Sequence, residues 1–349
     1  MKRIAPCFSN AKRLLHFLCL LTLLSELFLF GSSTLHASPV PPFDLDENAA
    51  DSGPWSSFSP SDGLASSSIL SILYGVNGEL WVGTTGGASV MQSNGTWQTF
   101  TDANGLGGNI VTDIVPVPGN PQQQWFGAYG GISLLDTGGA LADPNQHQWI
   151  TFSKQDGLVE DWVSAVAIDT SSNIWIGTYF IDADGNDKGF GVSRLSTHST
   201  PFDKTDDVWT TYTQATGMLS NNIVRDILVD AAGVVWIATA SGLNAVHSGG
   251  WTVYYSGDGL PSNEITALTQ HNGLLWIATR GGIAVMDYGG TPGNKTDDRW
   301  ANFTRSNSGL VDNETSSIGV DAQGYLWVGT SKKTNDGEAG SGVNVLGFR

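Results

Sequence analysis

Tryptophan recurs along this chain in pairs, and the pairs constrain nearly everything else. The first member is Trp55, Trp97, Trp149, Trp209, Trp251 or Trp300, and an aromatic ring follows three positions on, at Phe58, Phe100, Phe152, Tyr212, Tyr254 or Phe303. The second member is Trp81, Trp125, Trp175, Trp236, Trp276 or Trp327, always 25–28 residues beyond the first. Successive first tryptophans are instead 42–60 residues apart. A near-constant block alternating with variable connectors is the mark of a modular array.

Each block reads as four short strands. Ile69 to Leu73, Val163 to Ile168 and Val224 to Val229 are β-branched runs of strand length, closed by turns at Asn77-Gly78, Ser172-Asn173 and Ala232-Gly233. Leu80 to Thr84 and its equivalents make the next strand, and Gly-Leu or Gly-Ile opens a third. With 44 glycines and only 14% charged residues, the composition suits tight turns rather than helices. A tryptophan and an aromatic three apart on a strand point to opposite faces, so the strand must be covered on both sides. Radial repetition of like sheets meets that demand. The expected fold is all-β, a six-bladed β-propeller of four-stranded blades over residues 55–349. That region opens on an outermost strand, Trp55–Phe58, and closes on a third strand at Val343–Leu346. The N-terminal strand is therefore expected to complete the last blade and remove a free edge.

Ahead of the repeats, Lys2, Arg3, Lys12 and Arg13 precede an apolar run from Leu14 to Phe30, and Leu35-His36-Ala37 offers a cleavage site. Residues 1–37 read as a signal peptide, which implies a secreted or periplasmic protein. Glu26 inside the run argues against a permanent span, the alternative being an uncleaved N-terminal membrane anchor. Residues 38–54 form a Pro- and acid-rich linker, expected to be disordered. Both cysteines, Cys7 and Cys19, fall in the signal segment, so no disulfide or thiolate metal site is expected in the mature chain. Net charge is −17, and loss of the basic leader takes it to −20. That balance argues against nucleic acid as a partner and against docking on anionic lipid.

The pattern W-x-x-F, then D-G-L, then D-x-x-G-x-L-W-[IV]-G-T-x-x-G-[LIV], resembles the two-component regulator propeller repeats. Asp62-Gly63-Leu64, Asp156-Gly157-Leu158 and Asp258-Gly259-Leu260 carry the resemblance, as do Trp81-Val-Gly-Thr84 and Trp175-Ile-Gly-Thr178. The resemblance covers about Trp55 to Leu346. It implies an extracytoplasmic sensing domain of the kind borne by bacterial sensor kinases, often answering carbohydrate-derived signals. No second apolar span and no kinase region follows the repeats in this sequence, so any signal is expected to pass through a separate membrane partner.

Aligned on the second tryptophan, the innermost strands place Ser71, Asp113, Ala165, Asp226, Ala267 and Ser317 at the axis. Asp113 and Asp226, beside Arg225, are candidates to hold a cation or sugar hydroxyls; a merely hydrated channel is the plain alternative. Two second-to-third-strand loops are long, 179–190 in blade three and 331–341 in blade six. These blades stand opposite in a ring of six, so the loops should flank one cleft. Trp162 and Tyr179, with Arg280 and Lys332 near by topology, are the expected ligand contacts, because sugars stack apolar faces on aromatic rings. Asp182, Asp184 and Asn186 alternate in a Gly-containing turn and could wrap Ca²⁺, although Ser193 stands where an EF-hand would supply its bidentate Glu; a solvated acidic turn is the alternative. No Gly-x-Ser-x-Gly elbow, phosphate loop or metal-spaced histidine pair is present, and catalysis is not expected. The expected function is an exported ligand-binding or sensor-type propeller. A protein-interaction or cell-surface scaffold, or a propeller lyase, is the alternative.

Overall fold

The sequence period becomes a ring of sheets because every blade has two apolar faces to cover. The structure is a computed structural model. It describes residues 57–349 except 76, 93–94, 322–323, 335–336 and 347–349, and for 332–341 it describes the backbone alone. The expected signal peptide and linker therefore lie outside the described residues.

Blade one is β1 (Ile69–Tyr74), β2 (Leu80–Thr84), β3 (Gly87–Met91) and β4 (Trp97–Phe100). Blade two is β5 (Val111–Val117), β6 (Asn120–Ala128), β7 (Gly131–Asp136) and β8 (Gln148–Phe152). Blade three is β9 (Val163–Ile168), β10 (Ile174–Ile181), β11 (Asp187–Ser196) and β12 (Val208–Tyr212). Blade four is β13 (Val224–Val229), β14 (Val235–Thr239), β15 (Gly242–His247) and β16 (Gly250–Tyr254). Blade five is β17 (Ile265–His271), β18 (Leu274–Thr279), β19 (Gly282–Asp287) and β20 (Arg299–Phe303). Blade six holds β21 (Thr315–Val320), β22 (Leu326–Thr334) and β23 (Gly337–Leu346). All pairings are antiparallel and sequential, inner strand to outer. The chain is a six-bladed β-propeller.

Aromatic contacts repeat with the blades. Within a blade, the second tryptophan faces the ring of the outer strand: Trp81–Phe100, Trp125–Phe152, Trp175–Tyr212, Trp236–Tyr254 and Trp276–Phe303 have centroids 5.5–6.0 Å apart. Between blades, that outer ring meets the next first tryptophan: Phe100–Trp149, Phe152–Trp209, Tyr212–Trp251 and Tyr254–Trp300 lie at 4.9–6.0 Å. At four connectors the glycine of an Asp-Gly-Leu or Asn-Gly-Leu step packs under the same tryptophan. A methyl added at Gly63, Gly105, Gly157 or Gly259 would come within 2.5–2.8 Å of Trp97, Trp149, Trp209 or Trp300. Blade four adds a polar anchor: Asp230, 4% exposed, accepts from the Trp236 indole N–H at 2.8 Å and the Tyr288 hydroxyl at 2.7 Å, so it joins blades four and five.

The seam between blades six and one tests the expected closure. Trp55 and Ser56, the start of the strand expected to complete blade six, lie outside the described residues. The residues around them show what that strand would supply. Phe58 already touches Trp97 at 5.4 Å, as each outer-strand ring touches the next blade. Trp327 is 46% exposed where Trp81 is 1% exposed, and Ile72 is 69% exposed where Ile114 is 5% exposed. Among the described residues the expected closure is not seen: Ser57 and Phe58 lie outside any strand, and blade six is a three-stranded sheet with both seam faces more exposed than in blades one and two. If the expected closure holds, the register of Ser89 opposite Thr99 in blade one would set Ser57 opposite Asn344.

Two outcomes follow. Ser57→Cys with Asn344→Cys, in a chain lacking residues 1–37, should form an intramolecular disulfide readily on mild oxidation, visible as a faster-migrating band on non-reducing gels with a higher melting temperature. Asp230→Ala should cost at least about 3 kcal/mol in urea unfolding, because it leaves buried donors without an acceptor.

Candidate functional site

The inner strands carry a device that the sequence period hides. In five of the six blades a β-bulge falls near the start of the inner strand: Ile69/Ser71, Val111/Asp113, Val224/Asp226, Ile265/Ala267 and Thr315/Ser317. The skipped residues are Leu70, Thr112, Arg225, Thr266 and Ser316, and Ser164 is skipped likewise where blade three shifts register. A bulge re-aims the side chain it inserts. Thr112, Ser164 and Thr266 turn their hydroxyls to the next blade, donating to the carbonyls of Val163, Val224 and Thr315 at 2.7–2.9 Å. Arg225 replaces the hydroxyl with a guanidinium at the channel mouth.

Around Arg225 lies a cavity of about 650 Å³ reached from the loop face. It runs from blade three to blade six, with Tyr179, Asp187, Arg225, Glu264, Arg280 and Glu314 in its wall. Charges alternate along it. Arg225 pairs with Asp187 at 3.1 Å and with Glu264 at 2.8 Å, while Arg280 lies 3.7 Å from Glu264 and 3.4 Å from Glu314. The Arg225 side chain is only 10% exposed, yet its Nη1 is buried without a hydrogen-bond partner. Buried guanidinium nitrogens are ordinarily satisfied, so the orphaned one marks a place for an acceptor.

The blade-three loop is not a loose insertion. β10 and β11 continue past the register of the other blades as a hairpin, pairing Tyr179 with Gly189, Phe180 with Lys188 and Ile181 with Asp187. β22 and β23 extend in the same way to Thr334 and Gly337. Of the expected contacts, Tyr179, Arg225 and Arg280 come together in the cavity wall. Trp162 stands beside it, in a ladder of rings with Tyr129 at 4.8 Å and Phe180 at 4.4 Å. The Lys332 side chain lies outside the described residues.

Asp113 and Asp226 sit one residue past the bulge, and their oxygens are engaged. Asp113 accepts the N–H groups of Ile114 and, across the blade boundary, Val166, both at 2.8 Å. Asp226 does the same with Ile227 at 2.8 Å and Leu268 at 2.7 Å. Each carboxylate pins its blade to the next. Burial pushes Asp113 up to about 7, helped by the negative charge of Asp226, and pushes Asp226 up to about 6. In the Asp182–Asn186 turn, Asp182 Oδ1 accepts the N–H groups of Asp184 at 3.0 Å and Asn186 at 2.9 Å, and Oδ2 meets Lys188 at 3.2 Å. Backbone donors and a lysine thus hold Asp182, and no group of three metal-binding carboxylates or histidines occurs among the described residues. The histidines serve as local braces: His147 against the Leu141 carbonyl, His198 against the Asp206 carbonyl and His247 against the Thr252 hydroxyl.

The bulge leaves no mark in the sequence period, which points to the position after it, where the acids are, with Arg225 only as their neighbour. Glu264 and Glu314 gave a weak signal, as acids one residue ahead of inner strands.

The fold and the mouth define a β-propeller with a polar cavity of ligand size at one end of its channel. The family described as Two component regulator propeller matches residues 218–241, 259–281 and 309–332. In these three segments the chain is similar to the repeat of that family. Among solved structures it is similar to the extracellular domains assigned to two hybrid two-component systems of B. thetaiotaomicron. One is 22% identical over 80% of this chain and 33% of its own, with a TM-score of 0.59. The other is 15% identical over 80% and 34%, with a TM-score of 0.57. It is also similar to a catalytically inactive virginiamycin B lyase from Staphylococcus aureus solved with quinupristin: 14% identity, 80% of this chain, 83% of that one, TM-score 0.52. These likenesses carry the fold. The chain spans about a third of the length of the sensor ectodomains it resembles. No curated protein matches it.

The pinned acids give a pH signature. The carboxyls of Asp113 and Asp226 titrate near 3.8 in the unfolded chain, so between about pH 4 and 7 the folded protein holds protons that the unfolded chain has released. Their contribution to stability is full below the unfolded value and fades as pH rises through about 7; Asp298, pushed by burial to about 6, acts in the same window. Melting temperature should therefore fall from pH 5.5 to pH 8. Asp113→Asn should make that slope shallower, and an unchanged slope would show that Asp113 is not its source.

Proposed function

We propose that this chain is an exported, sensor-type propeller that holds a carbohydrate-derived ligand in the mouth cavity and passes the signal through a separate membrane partner. The observation that carries the reading is the wall of alternating guanidinium and carboxylate groups around Arg225, with its buried, orphaned Nη1. Such a wall offers donors and acceptors in turn. A run of sugar hydroxyls, each able to donate and accept, satisfies both, and the Tyr179 ring adds an apolar surface. A simple anion would meet three acids for two arginines, Asp187, Glu264 and Glu314 against Arg225 and Arg280, so a neutral polyhydroxyl ligand fits better.

The sequence supports export through the basic, apolar leader of residues 1–37. Extracellular placement accords with the sensor ectodomains that share the fold, which are extracellular domains. A non-catalytic role accords with a cavity whose charged groups are paired with one another.

The test is a thermal-shift and calorimetric screen against neutral oligosaccharides of differing linkage. A binder should raise the melting temperature of the wild-type chain. Arg225→Ala and Tyr179→Ala should each weaken that binder at least tenfold while retaining the native circular-dichroism spectrum. A shift that survives both substitutions moves the site elsewhere, and no shift with any oligosaccharide removes the carbohydrate reading.

A further inference from the structure

A second cavity opens on the opposite face, between the start of β2 in blade one and the start of β6 in blade two. It measures about 420 Å³, with Glu79, Trp81, Gln92, Gln122, Gln124 and Leu141 in its wall. Three buried side-chain atoms in that wall have no hydrogen-bond partner: Glu79 Oε2, Trp81 Nε1 and Gln124 Oε1. Trp81 is 1% exposed and Gln124 4% exposed. Buried polar atoms are nearly always satisfied, and three orphans in the wall of one cavity make a built site.

The repeat explains how the site arose. In blades three, four and six the equivalent indole N–H is capped by an aspartate six residues earlier: Trp175 by Asp169 at 2.9 Å, Trp236 by Asp230 at 2.8 Å and Trp327 by Asp321 at 2.7 Å. In blade one that position is Gly75, so the cap is missing and the N–H of Trp81 is free. Glu79 folds into the space, its Oε1 accepting from Asn77 Nδ2 at 3.3 Å and its Oε2 left open. Gln124 is oriented by its own amide, because Nε2 donates to the Pro121 carbonyl at 3.1 Å and so fixes Oε1 as the free acceptor.

We propose that this cavity is a second binding site, distinct from the mouth, for a small uncharged polyhydroxyl molecule of the aldohexose class. The wall presents one N–H donor and two acceptors, and a hydroxyl group is the function that answers both. A cation would face the indole N–H, and an anion would face the Glu79 carboxylate. The cavity is far larger than the ~30 Å³ share of one water. Its remaining polar side chains, Asn77, Gln92, Gln122 and Thr137, are neutral amides and a hydroxyl suited to further hydroxyls, and Leu141 gives an apolar wall for ring C–H groups. The Trp81 ring itself is engaged by Phe100 at 5.9 Å and Phe126 at 5.6 Å, so it offers its N–H edge rather than its face.

The test is saturation-transfer NMR on the full chain with D-glucose, D-galactose and D-mannose as probes, followed by a high-resolution crystal structure soaked in the best of them. At least one hexose should receive saturation. Trp81→Phe, which keeps the ring packing and removes the N–H, and Gln124→Met should each weaken that binding about tenfold. The double variant Arg225→Ala/Arg280→Ala should leave it unchanged, which separates this site from the mouth. No transfer to any of the three hexoses overturns the proposal. So does transfer that is unaffected by Trp81→Phe and Gln124→Met, or that is lost only with the arginines. A soaked crystal with water alone bridging the three atoms overturns it equally.

Discussion

The structure depends on one recurring contact, the outer-strand aromatic of each blade set against its own inner tryptophan and against the first tryptophan of the next. Phe152, for example, lies 5.8 Å from Trp125 and 6.0 Å from Trp209. Rings of this kind contribute roughly 0.5–1.5 kcal/mol per pair beyond the area they bury. Their greater effect is geometric. Each blade fixes the placement of its neighbour, so a residue at a given step of the inner strand arrives at a reproducible place on the channel. That reproducibility lets a single substitution in one blade become a site.

Both cavities arise in this way, from a local departure at an equivalent position. At the mouth, the bulged residue is a small hydroxyl in blades two, three, five and six, where it serves the blade boundary or the cavity wall; in blade four it is Arg225, and the boundary role gives way to a charged wall. On the opposite face, the capping aspartate of blades three, four and six is Gly75 in blade one, and the indole that it would have satisfied faces a cavity. Asp113 and Asp226 show the converse. They are acids in a channel, as a binding site would require, yet each is engaged by two backbone N–H groups across a blade boundary. Their elevated titration follows from burial in that structural role.

Much of the fold was legible because its signal is chemical and repeated. The paired tryptophans, the strand-length β-branched runs and the Gly-containing turns gave blade number, strand count and order. The site was less legible. Tyr179 and Arg280 could be placed from topology, because one opens the long hairpin of blade three and the other follows the second strand of blade five. The aim of Arg225 could not, because a bulge is set by backbone register and leaves no mark in the residue pattern. Nor could the orphaned Trp81 N–H be read, since the loss of an aspartate cap six residues earlier has meaning only once the caps of the other blades are seen. Trp162 was singled out for standing outside the repeat, and the structure uses it to support the blade-three hairpin through Phe180.

The central claim is that neighbouring blades cover one another's apolar faces, and its boldest consequence falls at the sixth blade, where the expected strand Trp55–Phe58 would cover Trp327, 46% exposed among the described residues. Residue-resolved hydroxyl-radical footprinting of the folded chain by mass spectrometry tests it most directly. The account predicts that Trp327, Val345 and Ile72 are protected to the same degree as Trp236, which is fully buried. Rapid oxidation of Trp327 and Ile72 together, with Trp236 protected, would show a seam left open and would contradict it.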